Sequence, residues 1–302
     1  MAFSVIDWQA EEARRLPPRP QESNKGTFGR VLCVCGSVGM SGAAYFAAKA
    51  AYRVGAGLVR ILTVEENRAV LQTMLPEAIV TTYDAEAPDL STIEDAAAWA
   101  DVLVIGCGLG VTRTSRTVLA HLLRTSEKPK VLDADALNLL SRNPSLLKYT
   151  RGAILTPHPM ELSRLIGRSV EEILDNSETV SHELAEKYGA ICVLKRHRTL
   201  TADGQGTVYR NTTGNSGMAT GGSGDVLAGM IGGLWAQLRD GEMPPAELAA
   251  TGVLLHGMSG DLAARELGEH AVMASDLLDT LPAVMKWAER GTEQNEEELG
   301  EL

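Results

Sequence analysis

The sequence alternates short apolar runs with stretches of helical periodicity, and this alternation restricts the folds that it can adopt. The apolar runs predict β-strands at residues 30–35, 58–63, 102–105, 130–132, 153–155 and 191–194. The sequence between them is helix-like, as in residues 42–54, where Ala43, Ala47 and Ala51 recur at helical spacing. Such alternation is typical of βαβ units, in which helices cover both faces of a parallel sheet. We therefore predict an α/β fold with a central, mostly parallel sheet flanked by helices on both faces.

Two further patterns complete the predicted architecture. Residues 199–202 and 207–210 flank Asp203-Gly204-Gln205-Gly206, which predicts a β-hairpin at one edge of the sheet. After Gly222 the sequence becomes mostly helical, with one apolar stripe along 223–238 and two more predicted helices at 246–264 and 274–287. We predict a leader segment (1–24), a single domain (25–288) and an acidic tail (289–302).

The net charge of −11 argues against nucleic acid as a partner, because duplex binding requires a basic surface. The tail alone has a net charge of −5, which leaves −6 for the other 288 residues. No apolar run has the length of a membrane span, and the first residues do not resemble a signal peptide, so we expect a cytoplasmic protein without a membrane partner. The spacing of the four cysteines predicts neither a zinc site nor a disulfide framework, and Cys33 and Cys35 are expected to share one strand face.

Two glycine-rich turns follow predicted strands. Residues 36–42 (GSVGMSG) lie between a strand and a helix, where backbone amides and the helix N-terminus can cradle an anion. Residues 106–110 (GCGLG) follow another strand, at the sheet edge where open α/β folds bind ligands. Taken alone, each turn is also consistent with a simple tight connection.

Residues 215–225 (NSGMATGGSGD) carry the strongest local signal. Gly221, Gly222 and Gly224 expose amides just before a predicted helix, an arrangement that can bind phosphoryl oxygens. Asp225 then lies in the first helical turn, where the helix dipole is expected to keep it ionised at neutral pH. The alternative is an ordinary helix-start residue. The chain has no P-loop motif.

Three polar segments at strand ends supply further candidates. Residues 156–161 (TPHPME) present His158 as a hydrogen-bond donor and Glu161 as a ligand for water or a metal, or else simply begin a helix. Residues 195–199 (KRHRT) concentrate positive charge that suits a polyphosphate, or form a solvated hairpin. Residues 133–138 (DADALN) offer two carboxylates for a magnesium–phosphate complex or a sugar hydroxyl, or cap the next helix.

Together these motifs resemble the ADP- or ATP-dependent NAD(P)H-hydrate dehydratases, which have a ribokinase-like fold. The resemblance extends from about residue 25 to 287 and rests on KGTFGRVLCVCGSVGMSGAA, AGLVRILT, GCGLG, LDADALN, LTPHPMEL and NTTGNSGMATGGSGDVLAGMI. It implies that the hydrated substrate contacts Ala43, Gly108, His158 and Asp225, and that the nucleotide contacts Lys195, Arg196, His197, Arg198, Thr199 and Gly224. Gly222, Ser223, Asn138 and Asn215 are implied as supporting residues.

The resemblance also implies the reaction. A nucleotide donates a phosphoryl group to the ring hydroxyl of the S epimer of hydrated NADH or NADPH, and elimination of phosphate restores NAD(P)H and leaves AMP from ADP, or ADP from ATP. Asp225 is the implied base, ADP or ATP the co-substrate and Mg²⁺ the cofactor, held through water by Glu161. The sequence departs from the family pattern at Cys107, where proline is usual, at Met160, where glycine is usual, and at 196–198, where a small glycine-containing stretch is usual.

Two other functions remain open from the sequence. A hydroxyl kinase of the same fold, such as a hydroxyethylthiazole-type kinase, would share the GSGD segment but release a stable phosphorylated product. A non-catalytic regulator would bind the nucleotides without turnover. In many relatives an epimerase domain precedes the matched region, and only 24 residues do so here. The resemblance therefore predicts a separate NAD(P)H-hydrate epimerase as the functional partner, and a homo-oligomer.

Overall fold

A ten-stranded sheet forms the centre of the fold. The computed structural model describes residues 3–9, 12, 16–238, 241 and 243–289, so the predicted acidic tail lies outside the described residues except for Glu289. The strands are β1 (Ser4–Trp8), β2 (Arg30–Val34), β3 (Leu58–Val64), β4 (Ile79–Tyr83), β5 (Val102–Ile105), β6 (Lys130–Leu132), β7 (Ile154–Leu155), β8 (Ile191–Leu194), β9 (Leu200–Ala202) and β10 (Thr207–Asn211).

The strand order is β1-β10-β9-β8-β7-β6-β5-β2-β3-β4. Only β9 runs antiparallel to its neighbours among the described strands, so the predicted mostly parallel sheet is confirmed. Strands β2 and β5 are adjacent, although β3 and β4 separate them in the chain. The chain therefore changes direction across the sheet between β2 and β5, which is where ligands bind in open α/β folds.

The sequence did not predict the two outer strands. Strand β1 comes from the predicted leader and pairs in parallel with β10, from Ser4 opposite Thr207 to Trp8 opposite Asn211. The predicted hairpin β9–β10 forms, but it lies one strand inside the edge because β1 covers it. Strand β4 forms the opposite edge. Edge strands are half solvated, so they lack the continuous apolar run that identified the central strands.

Helices cover both faces of the sheet. They are α1 (Ser41–Arg53), α2 (Arg68–Met74), α3 (Leu90–Trp99), α4 (Arg113–Thr125), α5 (Asp135–Arg142), α6 (Pro159–Ile166), α7 (Val170–Asp175), α8 (Ser177–Tyr188), α9 (Ser223–Gln237), α10 (Pro245–Leu267) and α11 (Ala274–Glu289). Alternate residues of β2 enter opposite apolar layers. Val31 and Cys33 belong to the layer under α1 and α9, and Leu32 and Val34 to the layer under α3 and α4. Cys35 lies in the same layer as Cys33, as predicted, and all four cysteines are free and buried.

Helix α9 is buried on every side, which corrects the prediction of one apolar stripe. Its residues from Val226 to Ala236 are all buried, including the three glycines between them. A Cβ on Gly229 would lie 2.1 Å from the carbonyl oxygen of Ala47, and one on Gly233 would lie 2.6 Å from that of Ala51. The helix therefore fills the space between α1, α10 and the sheet. Its glycines are buried, although their low hydropathy suggests a polar face.

A search of the described helices for a segment long and apolar enough to cross a membrane finds none.

Candidate active site

A cleft of about 900 Å³ opens at the carboxyl ends of the central strands. Most of the predicted site residues line it, namely His158, Glu161, Lys195, Arg196, His197, Arg198, Thr199, Asn215, Gly222, Ser223, Gly224 and Asp225. These residues come from the ends of β7 and β8, from the loop after β10 and from the start of α9, so the fold brings together segments that are far apart in the chain. Ala43, Gly108 and Asn138 lie outside this lining.

A buried ion pair forms the floor of the cleft. Lys195 Nζ lies 2.5 Å from Asp133 Oδ1 and 3.9 Å from Glu161 Oε2. Thr156 Oγ1 donates a second hydrogen bond to Asp133 Oδ1 at 2.6 Å, and the Asp133 side chain is 1% exposed. Burial alone would lower the pKa of Lys195, but the two carboxylates raise it above its ordinary value. Lys195 is therefore a fixed, permanent cation.

The glycine run before α9 stands beside this cation. A Cβ on Gly224 would lie 3.3 Å from Lys195 Nζ and 3.8 Å from Asp133 Oδ2. Gly222 has φ +94°, and a Cβ there would lie 2.8 Å from the Phe46 ring, so this position requires glycine. The amides that open α9, the helix dipole and an ammonium group thus converge on one point, which is an arrangement that binds phosphoryl oxygens.

Asp225 lies where the cleft meets the turn after β5. Its carboxylate, the Asp133 carboxylate and Cys107 Sγ lie within 4.8 Å of one another. Burial and the nearby Asp133 raise the pKa of Asp225 to about 7, although the Cys107 thiol and Lys195 act in the opposite direction and Asp135 adds to the rise. Asp225 is therefore about half ionised at neutral pH, because desolvation and a second carboxylate oppose the helix dipole that favours its charged form.

His158 begins α6 in a capping box with Glu161. His158 Nδ1 accepts hydrogen bonds from the amides of Met160 (3.1 Å) and Glu161 (3.3 Å), and Glu161 Oε2 accepts one from the amide of His158 (2.9 Å). Burial, with a contribution from Lys195, lowers the pKa of His158. The imidazole is therefore neutral, and because Nδ1 is an acceptor its proton is on Nε2. That nitrogen lies 3.4 Å from Glu161 Oε1 and can donate to a ligand.

The two glycine turns after β2 and β5 lie against each other. The amide of Gly36 donates to the carbonyl of Cys107 at 2.9 Å, and the amide of Gly106 donates to that of Val34 at 3.1 Å. A Cβ on Gly108 would lie only 2.7 Å from Ala43 Cβ, so the two predicted substrate contacts are neighbours. Val38 and Met40 in the first turn are 61% and 48% exposed. The turns therefore form an apolar, largely backbone surface next to Cys107 and Asp225.

The remaining candidates have structural partners. Asp135 Oδ2 accepts a hydrogen bond from the amide of Gly110 at 2.8 Å, so this carboxylate fixes the GCGLG turn. Asn138 Oδ1 accepts from Arg164 Nη1 at 2.9 Å. The guanidinium of Arg196 donates to Ser177 Oγ at the start of α8. Arg198 adopts φ +57°, a conformation that favours glycine.

Comparison with known proteins identifies the family. A family model described as NAD(P)H-hydrate dehydratase matches residues 31–283. The chain belongs to this family. The family predicted from the sequence motifs is confirmed.

Relatives of the dehydratase family include proteins of two lengths. The chain is 43% identical over 266 residues to the bifunctional NAD(P)H-hydrate repair enzyme Nnr of Coxiella burnetii, covering 88% of this chain and 52% of that protein. It is 40% identical to the ADP-dependent (S)-NAD(P)H-hydrate dehydratase of Neisseria meningitidis, covering 86% of this chain and 84% of that protein. The chain thus spans about half the length of the first curated relatives that it matches.

Solved structures show the same fold. The ADP/ATP-dependent NAD(P)H-hydrate dehydratase of Bacillus subtilis, co-crystallised with ATP and Mg²⁺, is 33% identical, with a TM-score of 0.81 over 95% of this chain and all of that chain. A hydroxyethylthiazole kinase from Pyrococcus horikoshii is 18% identical with a TM-score of 0.60, which indicates a shared fold. The ribokinase-like fold predicted from the sequence is confirmed.

Sequence reasoning missed the contribution of α10 to this dehydratase-family site. Asp261 accepts hydrogen bonds from the amide of Gly214 (2.8 Å) and from Asn215 Nδ2 (2.9 Å), and so holds the loop that lines the cleft. A Cβ on Gly257 would lie 2.1 Å from Thr213 Oγ1. Glycines at 257 and 260 inside a helical pattern mark a close approach, and this signal would have identified α10 as a supporting element.

Proposed function

We propose that the protein catalyses the ADP- or ATP-dependent dehydration of the S epimer of hydrated NADH or NADPH, and so repairs nicotinamide nucleotides. One observation carries the proposal: the Lys195 ammonium, the Gly224 position and the Asp225 carboxyl converge where the cleft meets the glycine turns. This arrangement places a phosphoryl-binding cradle directly beside a candidate base. The name of the Neisseria relative supports the same reaction and epimer.

The donor nucleotide binds in the cleft. Residues 195–199 and the loop 213–218 surround its adenosine part, and the amides at the start of α9 contact the phosphoryl group that is transferred. Phosphoryl transfer depends mainly on positioning and on electrostatic stabilisation, which the amides and Lys195 supply without reorganisation. Arg196 contributes backbone contacts, since its guanidinium is bonded to Ser177.

The hydrated ring binds over Ala43 and Gly108, with His158 Nε2 as a hydrogen-bond donor. Asp225 accepts the proton of the ring hydroxyl while that oxygen forms a bond to phosphorus and the bond to the nucleotide leaving group breaks. The ring C–O bond then breaks as phosphate leaves, and a proton is lost from the adjacent carbon, which restores the dihydronicotinamide. A pKa of about 7 suits Asp225 to this role, because a base is most effective when its pKa is near the working pH.

We propose Mg²⁺ as the cofactor, held mainly by the nucleotide phosphates. The donor set fits a hard cation, since Glu161 lines the cleft and its Oε1 is not used in the capping box. Glu161 would hold the ion through water. The cation would offset negative charge on the phosphoryl groups. Loss of activity on chelation, restored by added Mg²⁺, is the expected result.

Three finer statements are also proposals. A separate polypeptide supplies the epimerase activity, as the Neisseria relative is named for the dehydratase activity alone. The protein is a cytoplasmic homo-oligomer, supported by exposed Val70, Met74 and Ile79 near the β4 edge of the sheet. The folded domain includes residues 25–288. Light scattering after gel filtration tests the oligomer, since a monomer mass contradicts it.

One assay tests the main proposal. Purified protein is mixed with hydrated NADPH and Mg²⁺, then with ADP or ATP, and the absorbance of reduced nicotinamide is followed together with phosphate release. Stoichiometric recovery of NADPH and phosphate is expected. A stable phosphorylated product without phosphate release would instead indicate a hydroxyl kinase, and binding without turnover would indicate a regulator.

A further inference from the structure

A buried histidine of α10 contacts the first residue of α9. His256 is 8% exposed and lines the cleft. Its Nε2 lies 3.0 Å from the carbonyl oxygen of Ser223 and 3.4 Å from Ser223 Oγ. Ser223 lies between Gly222 and Gly224, in the segment that opens α9 beside Lys195. The histidine therefore touches the phosphoryl-binding cradle from behind.

These contacts fix the protonation of both groups. A carbonyl oxygen can only accept, so Nε2 of His256 must carry the proton. Burial lowers the pKa of His256 to about 4, so the ring is neutral at physiological pH. The nitrogen that faces Ser223 Oγ is thus a donor, and the hydroxyl proton of Ser223 cannot bond to it. Among the described residues no other partner is recorded for Ser223 Oγ, which lines the cleft.

We infer that His256 is a positioning residue, which holds the Ser223 carbonyl and directs the Ser223 hydroxyl to donate a hydrogen bond to the transferring phosphoryl group of the nucleotide. The inference rests on the proposed function for the identity of that group. The Ser223 hydroxyl would thus be a side-chain donor in the phosphoryl-binding cradle, in addition to the amides at the start of α9. Removing either member should cost a bond to a charged acceptor, which corresponds to a loss of about 10-fold to 100-fold.

A second buried histidine provides a matched control. His182 on α8 is 4% exposed and stacks on Phe3 with ring centroids 5.0 Å apart. It does not line the cleft. Replacing it removes the same volume from the core without touching α9, so any effect common to the two histidines reflects packing.

The test compares four variants, His256→Gln, His256→Leu, Ser223→Ala and His256→Leu/Ser223→Ala, with His182→Gln as control. The affinities for ADP and AMP are measured by calorimetry. Steady-state kinetics with hydrated NADPH gives kcat and KM, and fluorimetry gives the melting temperature. Because AMP lacks the transferring phosphoryl group, we expect His256→Leu and Ser223→Ala to lose kcat and ADP affinity by about 10-fold to 100-fold while AMP affinity changes less than about 3-fold.

His256→Gln keeps a side-chain N–H, so its kcat and ADP affinity should stay within about 3-fold of the wild-type values. The double variant should lose no more kcat or ADP affinity than the more impaired of the two single variants. Unchanged ADP affinity in Ser223→Ala, multiplicative losses in the double variant, or an equal loss of ADP and AMP affinity would overturn the inference. The ADP-to-AMP ratio does not require turnover. If the wild type fails to process hydrated NADPH, the proposed function fails while the role of His256 is still decided.

Discussion

The two halves of the candidate site differ in the chemical groups that they present. The half proposed to bind the nucleotide (the nucleotide half) comprises residues 195–199, 213–218 and 222–225. It contains charged groups that are fixed by ion pairs and hydrogen bonds, such as Lys195–Asp133. The half proposed to bind the hydrate (the hydrate half) comprises the glycine turns 36–42 and 106–110 with His158. Its turns present mainly backbone and exposed apolar side chains such as Val38. Both halves contain a glycine-rich segment that precedes a helix, yet only the nucleotide half carries charged side chains.

The difference follows from the two ligands proposed for these halves. A phosphoryl group needs donors whose charge and direction are set before it arrives, and a low-dielectric site makes such donors effective. A nicotinamide ring needs a flat surface and a few directed hydrogen bonds. Asp225 lies at the boundary, within 4.8 Å of Cys107 on one side and of Asp133 on the other. Its replacement should therefore affect the reaction between the two ligands more than the binding of either one.

The largest effect is expected for Asp225→Asn. The variant lacks the proposed base, so kcat should fall by roughly 10²-fold to 10⁴-fold while ADP affinity remains within about 3-fold. The pKa of Asp225 is raised on folding, so its ionisation lowers stability as the pH rises from 3.8 towards about 7. The neutral amide should therefore raise the melting temperature at pH 8 by roughly 2–5 °C, and the gain should shrink towards pH 4. Near-normal turnover would exclude Asp225 as the base.

The pH dependence of kcat/KM for the wild-type protein should report the ionisation of Asp225. Since Asp225 must be ionised to accept a proton, kcat/KM should fall about 10-fold per pH unit below a pKa near 7. Cys107→Ala should move this acid limb to higher pH, because the Cys107 thiol lies within 4.8 Å of the Asp225 carboxylate and lowers its pKa. Cys192→Ala on β8 is the control and should leave the limb unchanged. A limb near pH 4 would contradict the raised pKa.

A smaller effect, confined to the nucleotide half, is expected for Asp261→Asn. The amide replaces one of the two acceptors that hold Gly214 and Asn215, so the loop should loosen. We expect KM for ADP to rise by about 10-fold and KM for hydrated NADPH to stay within about 2-fold. Steady-state kinetics with each substrate varied in turn measures both. An equal rise in the two constants would show that the halves are not separate.

The smallest effect is expected for Val38→Ser in the hydrate half. Partial burial of this side chain under the substrate contributes about 1 kcal/mol, so KM for hydrated NADPH should rise by about 5-fold with KM for ADP unchanged. Leu174→Ser on α7 is the control, since this residue is 43% exposed and belongs to neither glycine turn. An unchanged KM in Val38→Ser would place the ring elsewhere.

The sequence predicted the central strands closely, and its errors have physical causes. Strands β5, β6 and β8 have the predicted bounds because both faces of each are buried, which gives continuous apolar runs. Strands β1 and β4 were missed because edge strands mix exposed and buried residues. The motifs located the cleft, but the pairing of Asp133 with Lys195 and the raised pKa of Asp225 depend on contacts across 62 residues or more, which no local pattern encodes.

The packing of α1 against α9 has a consequence for how the two halves can move. Gly229 faces Ala47 and Gly233 faces Ala51, so the helices run in the same direction with their backbones in contact. Each helix opens one half of the site: α1 follows the turn 36–42, and α9 follows the glycine run before Ser223. Two helices packed in this way form one rigid unit. The distance between the proposed sites of the phosphoryl donor and the phosphoryl acceptor is therefore fixed by the fold. A larger side chain at 229 or 233 would push the two helices apart. It would therefore change the distance between the proposed substrate sites without altering any group proposed to contact a substrate.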